Sequence, residues 1–395
     1  MCRIEMPAEA RKIIDDLYRE GYEAYIVGGC VRDALLGRKA DDYDITTSAP
    51  PTEIKRIFKR TVDTGLSHGT VTVIENGKPY EVTTFRVDGE YKDNRHPVSV
   101  SYTKNVRDDL ARRDFTVNAL AYNDREGIVD AFSGIEDLND GVIRCVRNPE
   151  ERFAEDALRV LRGIRFSSVL GFKIEEGTKA GIRKYAKNLS SISSERIYVE
   201  WKKLLSGSDA YGVISEFKEV IDVFAEELVG IEMPPRESFC SLSYDERQIL
   251  LFVLSKSCDS FLSFAKRIKM DSKTRDTGIS VLNYIKELES SLDLDPRVFI
   301  VGKDDEAVMK SVKIAAALGI SKKSTLDAIS ALIESDAPRK ISQLKINGHD
   351  LIKLGIKGEG IGKALSDVLV AVATGTVEND QTLLFEYIKA YKCKL

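Results

Sequence analysis

Two aspartates, Asp42 and Asp44, stand one residue apart in "ADDYDITT", where the β-branched run "YDITT" predicts a strand. Alternate residues of a strand share a face, so both carboxylates project the same way. Such a pair offers hard oxygen ligands to Mg²⁺, which keeps few protein ligands and completes its shell with water and substrate phosphate. A third acid, Glu81, begins the alternating run "EVTTF" and is expected to approach the pair from an adjacent strand. The three would form a metal clamp that activates an attacking hydroxyl and stabilises a leaving pyrophosphate. An isolated D-x-D is ordinarily a solvated turn, but Gly28-Gly29 lies just upstream, between the predicted strand "EAYIV" and the short predicted helix "CVRDALLG". Backbone N–H groups at such a junction can hold phosphate, and Arg32 in the first helical turn can pair with it. The P-loop pattern is missing. A phosphate cradle beside metal carboxylates points to a nucleoside triphosphate that loses pyrophosphate.

A second constellation lies far downstream. In "EDALRVLRGIRF", Asp156, Arg159 and Arg162 recur every third residue, each about 60° round a helix from the last. One reading of this slanting stripe is a surface helix with ion pairs worth a few tenths of a kcal/mol. The other is base recognition: a carboxylate, which only accepts, takes the exocyclic amine of cytosine or adenine, while a guanidinium, which only donates, meets the ring nitrogen or carbonyl. That pair admits CTP and ATP and disfavours UTP and GTP. Asp114, Thr116 and Asn118 of "RRDFTVNA" are left between site residues and helix caps. His68 in "SHGT" reads as structural. With three histidines in the chain, His349-Asp350 has no ligand set for a phosphohydrolase centre and reads as a turn.

The elements that must carry these residues follow from periodicity. Residues 8–19 space their apolar side chains as an amphipathic helix. "PPTEIKRIF" opens a helix with proline in its first turn, and "GTVTVIENGKPYEVTTF" is two strands joined at Asn76-Gly77. "VSVSYT" is extended, and "VRDDLARRDFTVNALAYN" reads as helical. Beyond residue 148 the β signal fades: "PEERFAEDALRVLRGIRFSSVLG" predicts one long helix, "SSERIYVEWKKLLSG" another, and residues 210–395 alternate helical runs with polar breaks. The expected fold class is α+β, a mixed head followed by an elongated all-helical remainder.

A chain of 395 residues predicts several domains. A net charge of −4 argues against a general nucleic-acid-binding coat while allowing a local basic groove. The six cysteines show no zinc spacing and read as reduced thiols. No signal-peptide core and no run of roughly 20 apolar residues is found, so a cytoplasmic protein without membrane contact is expected.

The order of the motifs resembles the class II tRNA nucleotidyltransferase and bacterial poly(A) polymerase family of the polymerase β superfamily. "GGCVRDALLGRKADDYDITTSAPP" is similar to its signature. "GLSHGTVTV", "YEVTTFR", "DDLARRDFTVNALAYN", "FSGIEDLNDGVIRCV", "RFAEDALRVLRGIRF" and "SSERIYVEWKKLL" follow in family order across residues 23–205. The resemblance implies a nucleotidyltransferase head over residues 1–147, a nucleotide-selecting neck over 148–206, a helical body over 207–330 and a tRNA-binding tail over 331–395. It assigns Asp42 and Asp44 to the metal, with Glu81 as the third catalytic carboxylate. It assigns Gly28, Gly29, Arg32, Arg113, Asp156, Arg159, Arg162 and Arg165 to the nucleotide, with Glu155 as the acid beside the base-reading pair. Implied with these are Mg²⁺, CTP and ATP, and the acceptor arm and 3′ end of tRNA; the sequence leaves the oligomeric state open.

Within the family, addition of C, C and A is expected over addition of A or CC alone, over poly(A) synthesis, and over a helical RNA-binding protein with an inactive head. The segment 86–105 resembles a full-length flexible loop of the kind linked to the change from C to A addition. Three departures stand out: His96 after Arg95, "VRNP" at 146–149 and "KGEG" in the tail.

Overall fold

The computed structural model describes residues 3–89, 99–255, 257–290 and 294–392. The segment 90–98, with Arg95 and His96, lies outside the described residues, as do Cys2 and Cys393. The chain divides into two compact units, Met1–Glu226 and Glu227–Leu395.

The first unit opens with α1 (Ala8–Arg19), β1 (Ala24–Val27), α2 (Gly29–Leu35), β2 (Asp44–Thr47), α3 (Pro51–Ile57), β3 (Thr61–Gly65), β4 (Thr70–Glu75) and β5 (Lys78–Thr84). The ribbon β6 (Arg86–Asp88) and β7 (Val100–Tyr102), α4 (Val106–Ala111), β8 (Leu120–Asn123), β9 (Gly127–Asp130), α5 (Gly134–Asp140) and β10 (Val142–Ile143) follow. Then come α6 (Pro149–Glu155), α7 (Leu158–Leu170), β11 (Lys173–Ile174), α8 (Glu176–Tyr185) and α9 (Ser194–Leu205).

Seven strands form one mixed sheet in the order β3-β4-β5-β2-β1-β8-β9. Its one parallel pair is β2 with β5, in the register Ile45↔Val82, while β1 and β2 are antiparallel with Val27 opposite Asp44. Asn76 and Gly77 take φ of 49° and 78° between the paired Glu75 and Lys78, the positive-φ geometry of a two-residue hairpin that favours Asn-Gly. Tyr25, Val27, Phe85, Leu110 and Val146 pack together in the core under the sheet.

Two sequence expectations are corrected here. Only Val106–Ala111 of "VRDDLARRDFTVNALAYN" is an α-helix; after a 3-10 turn at Thr116–Asn118 the chain becomes strand β8. Every residue of β8 is buried, and a strand covered on both faces loses the alternation that distinguishes it from a helix. The long helix of residues 149–170 is likewise two helices, broken at Asp156, whose φ and ψ of −136° and 105° are extended. Its Oδ1 accepts from the Leu158 N–H at 3.0 Å, the local side-chain bond by which aspartate competes with helical backbone. The polar stripe therefore begins outside the helix that carries Arg159 and Arg162.

In the second unit the described residues form helices and turns without strands. Leu288, Phe299, Val308, Val312 and Ile329 belong to one core, and Leu351, Leu365, Val368, Leu384 and Ile388 to another. His349 and Asp350 lie in the first turn of helix Gly348–Lys353, where Asn347 and Asp350 form a capping box. Gly358 of "KGEG" precedes helix Glu359–Ala373 with φ of 58°. Among the described residues no helix is long and apolar enough to cross a membrane.

Candidate active site

The parallel register puts Glu81 of β5 beside Asp44 of β2, one step before the Ile45↔Val82 pair. Asp42 lies two residues upstream of Asp44, outside the strand. All three residues are exposed, yet the protein around Asp44 and Glu81 disfavours charge on those two. Burial of its surroundings pushes the Asp44 carboxyl up, with Arg113 pulling against it and Asp42 adding to the rise. Glu81 is pushed up by the same desolvation and then by Asp44 and Asp42. Carboxyls pushed up by burial and by neighbouring acids gain from an added cation. Among the described residues no group of three or more His, Cys, Asp or Glu side chains is arranged to hold a metal unaided. The donor set fits an ion that draws much of its shell from substrate phosphate and water.

Gly28 takes φ of 81°, and a Cβ there would meet Arg113 Nη1 at 3.0 Å. Glycine is needed twice over, for the left-handed backbone and for the close guanidinium. Arg113 is held near Asp44 through Asp109, whose Oδ2 lies 3.5 Å from Nη2, and its Nε is buried without a partner. Asp109 is fully buried. Burial pushes its carboxyl up, but Arg112 and Arg113 overcome this and hold it below the usual range. Arg32 projects from α2, which starts at Gly29; it donates to Asn118 Oδ1 at 2.6 Å and to both oxygens of Asp33.

The selecting segment is held as firmly. Asp156 uses its second oxygen to accept from Arg196 of α9 at 3.0 Å. Arg159 donates to Glu155 at 2.6 Å and to the carbonyls of Arg152 and Arg112; Glu155 is also bonded by Arg152. Arg162 forms a two-pronged pair with Asp114 at 2.7 and 2.6 Å. Burial pushes the Asp114 carboxyl up, yet Arg162 outweighs it and brings it down to about 2. Arg165 pairs with Glu200 at 2.7 Å. Burial draws the Arg165 guanidinium down against Glu200, and Arg162 adds repulsion.

Among the residues left open, Asn118 faces Arg32, while Thr116 is structural, donating to Asp137 at 2.6 Å. His68 lies in a 3-10 turn, where its carbonyl accepts from Arg86. Asp109, Arg196 and Glu200 were not singled out in the sequence. Their signal was weak: each is a charged residue inside an apolar helical pattern, and only the fold shows that each faces an arginine or aspartate of the site.

Paired strand carboxylates beside a glycine turn, with an arginine-bearing helical segment in the same unit, define a metal-dependent nucleotidyltransferase. Residues 24–144 match the family described as "Poly A polymerase head domain", 171–219 that of "Probable RNA and SrmB- binding site of polymerase A", and 242–388 a tRNA nucleotidyltransferase domain 2. The chain is 36% identical to the CCA-adding enzyme of Enterococcus faecalis over 98% of its own length and 96% of that protein. It is 37% identical to that of Limosilactobacillus fermentum, covering 96% of each. The structure superposes on the Bacillus stearothermophilus CCA-adding enzyme in complex with CTP with a TM-score of 0.80, at 32% identity, covering 99% of this chain and 100% of that one. The chain belongs to the CCA-adding enzyme family. It is an enzyme of the nucleotidyltransferase class, and these use a divalent metal.

Proposed function

We propose that this protein adds C, C and A, without a nucleic-acid template, to the 3′ end of tRNA from CTP and ATP and releases pyrophosphate. The observation that carries the reading is the division of labour within the first unit: carboxylates on β2 and β5 pushed up by burial and by neighbouring acids, and an acid and a guanidinium at Asp156 and Arg159 each held by its own partners. Asp42 and Asp44 would hold Mg²⁺, which supplies Lewis acidity to the attacking hydroxyl and the leaving pyrophosphate. Glu81, made more basic by its surroundings, assists removal of the terminal hydroxyl proton. Gly28, Gly29, Arg32 and Arg113 receive the triphosphate, with Arg162 and Arg165 as further nucleotide contacts. Asp156 has lone pairs beyond its two bonds to accept the exocyclic amine, and Arg159, fixed by three acceptors, donates to the ring edge.

Function divides the chain into the head at 1–147, the neck at 148–206, the body at 207–330 and the tail at 331–395, with tRNA read through the shape and backbone of its acceptor arm. The buried free thiols Cys30 and Cys145 suit the reducing cytoplasm. The test supplies tRNA lacking CCA, tRNA ending in C, in CC and in CCA, with CTP and ATP singly and together. Incorporation of both nucleotides, stopping after the third, is expected. Use of CTP alone, of ATP only on tRNA ending in CC, or long A tails would each replace the reading with a narrower transferase or a poly(A) polymerase.

A further inference from the structure

Three guanidinium groups assigned above to the nucleotide converge on one ring. The Cζ of Arg165 lies 3.5 Å from the Phe166 centroid, that of Arg162 5.2 Å and that of Arg32 5.4 Å. Arg162 and Arg165 belong to α7, whereas Arg32 belongs to α2, next to the glycine turn. Phe166 is 4% exposed, and its ring packs edge-on against Phe115 at 5.7 Å and 74°, which fixes its plane. Each arginine also has an anionic or amide partner: Asp33 and Asn118 for Arg32, Asp114 for Arg162, and Glu200 for Arg165 and, at 3.7 Å, for Arg162 as well. Those bonds anchor individual nitrogens. Asp114 and Glu200 hold the two guanidinium groups of α7, whereas Arg32 joins them from α2 only through Asn118, whose Nδ2 donates to Asp114 at 3.5 Å. An aromatic face carries the negative end of a quadrupole and attracts cations within about 6 Å, so the ring adds to that chain of bonds one attracting surface shared by all three guanidinium groups.

We propose that Phe166 is a positioning residue for the triphosphate: its ring holds Arg32, Arg162 and Arg165 at the mutual spacing in which they receive a nucleotide. This rests on the nucleotide-binding reading of those arginines. A ring acting on phosphate-facing cations affects CTP and ATP alike and leaves base choice alone. A leucine would fill much of the same volume but offers no negative face.

The experiment replaces Phe166 with a series of ring-fluorinated phenylalanines, which keep the shape while withdrawing charge from the face, alongside Phe166→Leu and Arg32→Ala. Steady-state KM and kcat for CTP and ATP are measured in the full-length enzyme, with thermal unfolding as the check on folding. KM for both nucleotides is expected to rise in step with fluorination, reaching about three- to tenfold in the most fluorinated protein and in Phe166→Leu. kcat should change far less than KM, and selection against UTP and GTP should hold. An unchanged KM across the fluorinated series overturns the proposal and leaves Phe166 as packing. An unchanged KM in Arg32→Ala overturns instead the assignment of that arginine to the nucleotide, so the two failures are told apart.

Discussion

The acids of the strand site and the acids facing Arg112, Arg113 and Arg162 are oppositely treated by the same unit. Asp44 and Glu81 are pushed up by desolvation and then by neighbouring acids, Asp42 acting on Asp44 and both aspartates on Glu81, while Arg113 pulls Asp44 down. Asp109 and Asp114 are more deeply buried, yet they are pulled down because arginines face them. Burial alone therefore does not set the charge state; the presence of a paired cation does. In the proposed reading the first group is completed by a metal and its substrate. The second is complete and its charge aims Arg112, Arg113 and Arg162.

The sharpest break of this contrast is Asp44→Asn. Loss of a metal-holding carboxylate should slow nucleotide transfer by about 10³-fold or more, several kcal/mol in the barrier. A carboxyl raised in the folded state weakens folding once pH exceeds its unfolded value, so removing its charge should leave the metal-free melting temperature unchanged or higher at neutral pH. Asp114→Asn should do the reverse to stability. It removes the close partner of the half-buried Arg162 guanidinium, leaving Glu200 at 3.7 Å, and should cost about 1–3 kcal/mol in urea unfolding at pH 7. Because Asp114 titrates at about 2 when folded against roughly 3.9 unfolded, its contribution is present above the unfolded value. It is lost as pH falls through the folded one, so the gap between wild type and variant should close between about pH 4 and 2.

Arg159→Ala comes next. Selection of CTP and ATP over UTP and GTP should fall by about 10- to 100-fold in competition assays, with tRNA affinity unchanged. Gly28→Ala is the mildest. The added methyl meets both an 81° φ and Arg113 Nη1 at 3.0 Å, so a loss of about 1 kcal/mol in stability is expected. A several-fold rise in nucleotide KM should accompany it.

Local chemistry made much of the head legible. Asn76-Gly77 specified its hairpin because two consecutive positive φ angles favour that dipeptide, and the spacing of Ile13, Ile14 and Leu17 specified α1, where all three are buried. Strand β8 was not legible, since burial on both faces erased its alternation. Nor was the break at Asp156, which depends on its side chain bonding the Leu158 N–H and on Arg196 reaching across from α9. Glu81 was readable as an acid on a strand, but its place beside Asp44 follows from the parallel pairing of β2 with β5, and no local pattern encodes that. The same holds for Arg32 with Asn118 and Arg165 with Glu200, which are remote in sequence and adjacent in space.

The central claim is that the strand carboxylates perform the reaction while the neck segment chooses the base. Single-turnover incorporation of each of the four nucleoside triphosphates onto tRNA lacking CCA, compared among wild type, Asp44→Asn and Arg159→Ala, tests it most directly. Asp44→Asn should slow every nucleotide by the same factor and preserve the ratio of CTP to UTP incorporation, whereas Arg159→Ala should collapse that ratio with a smaller loss of rate for CTP. A ratio altered by Asp44→Asn, or preserved in Arg159→Ala, would contradict it.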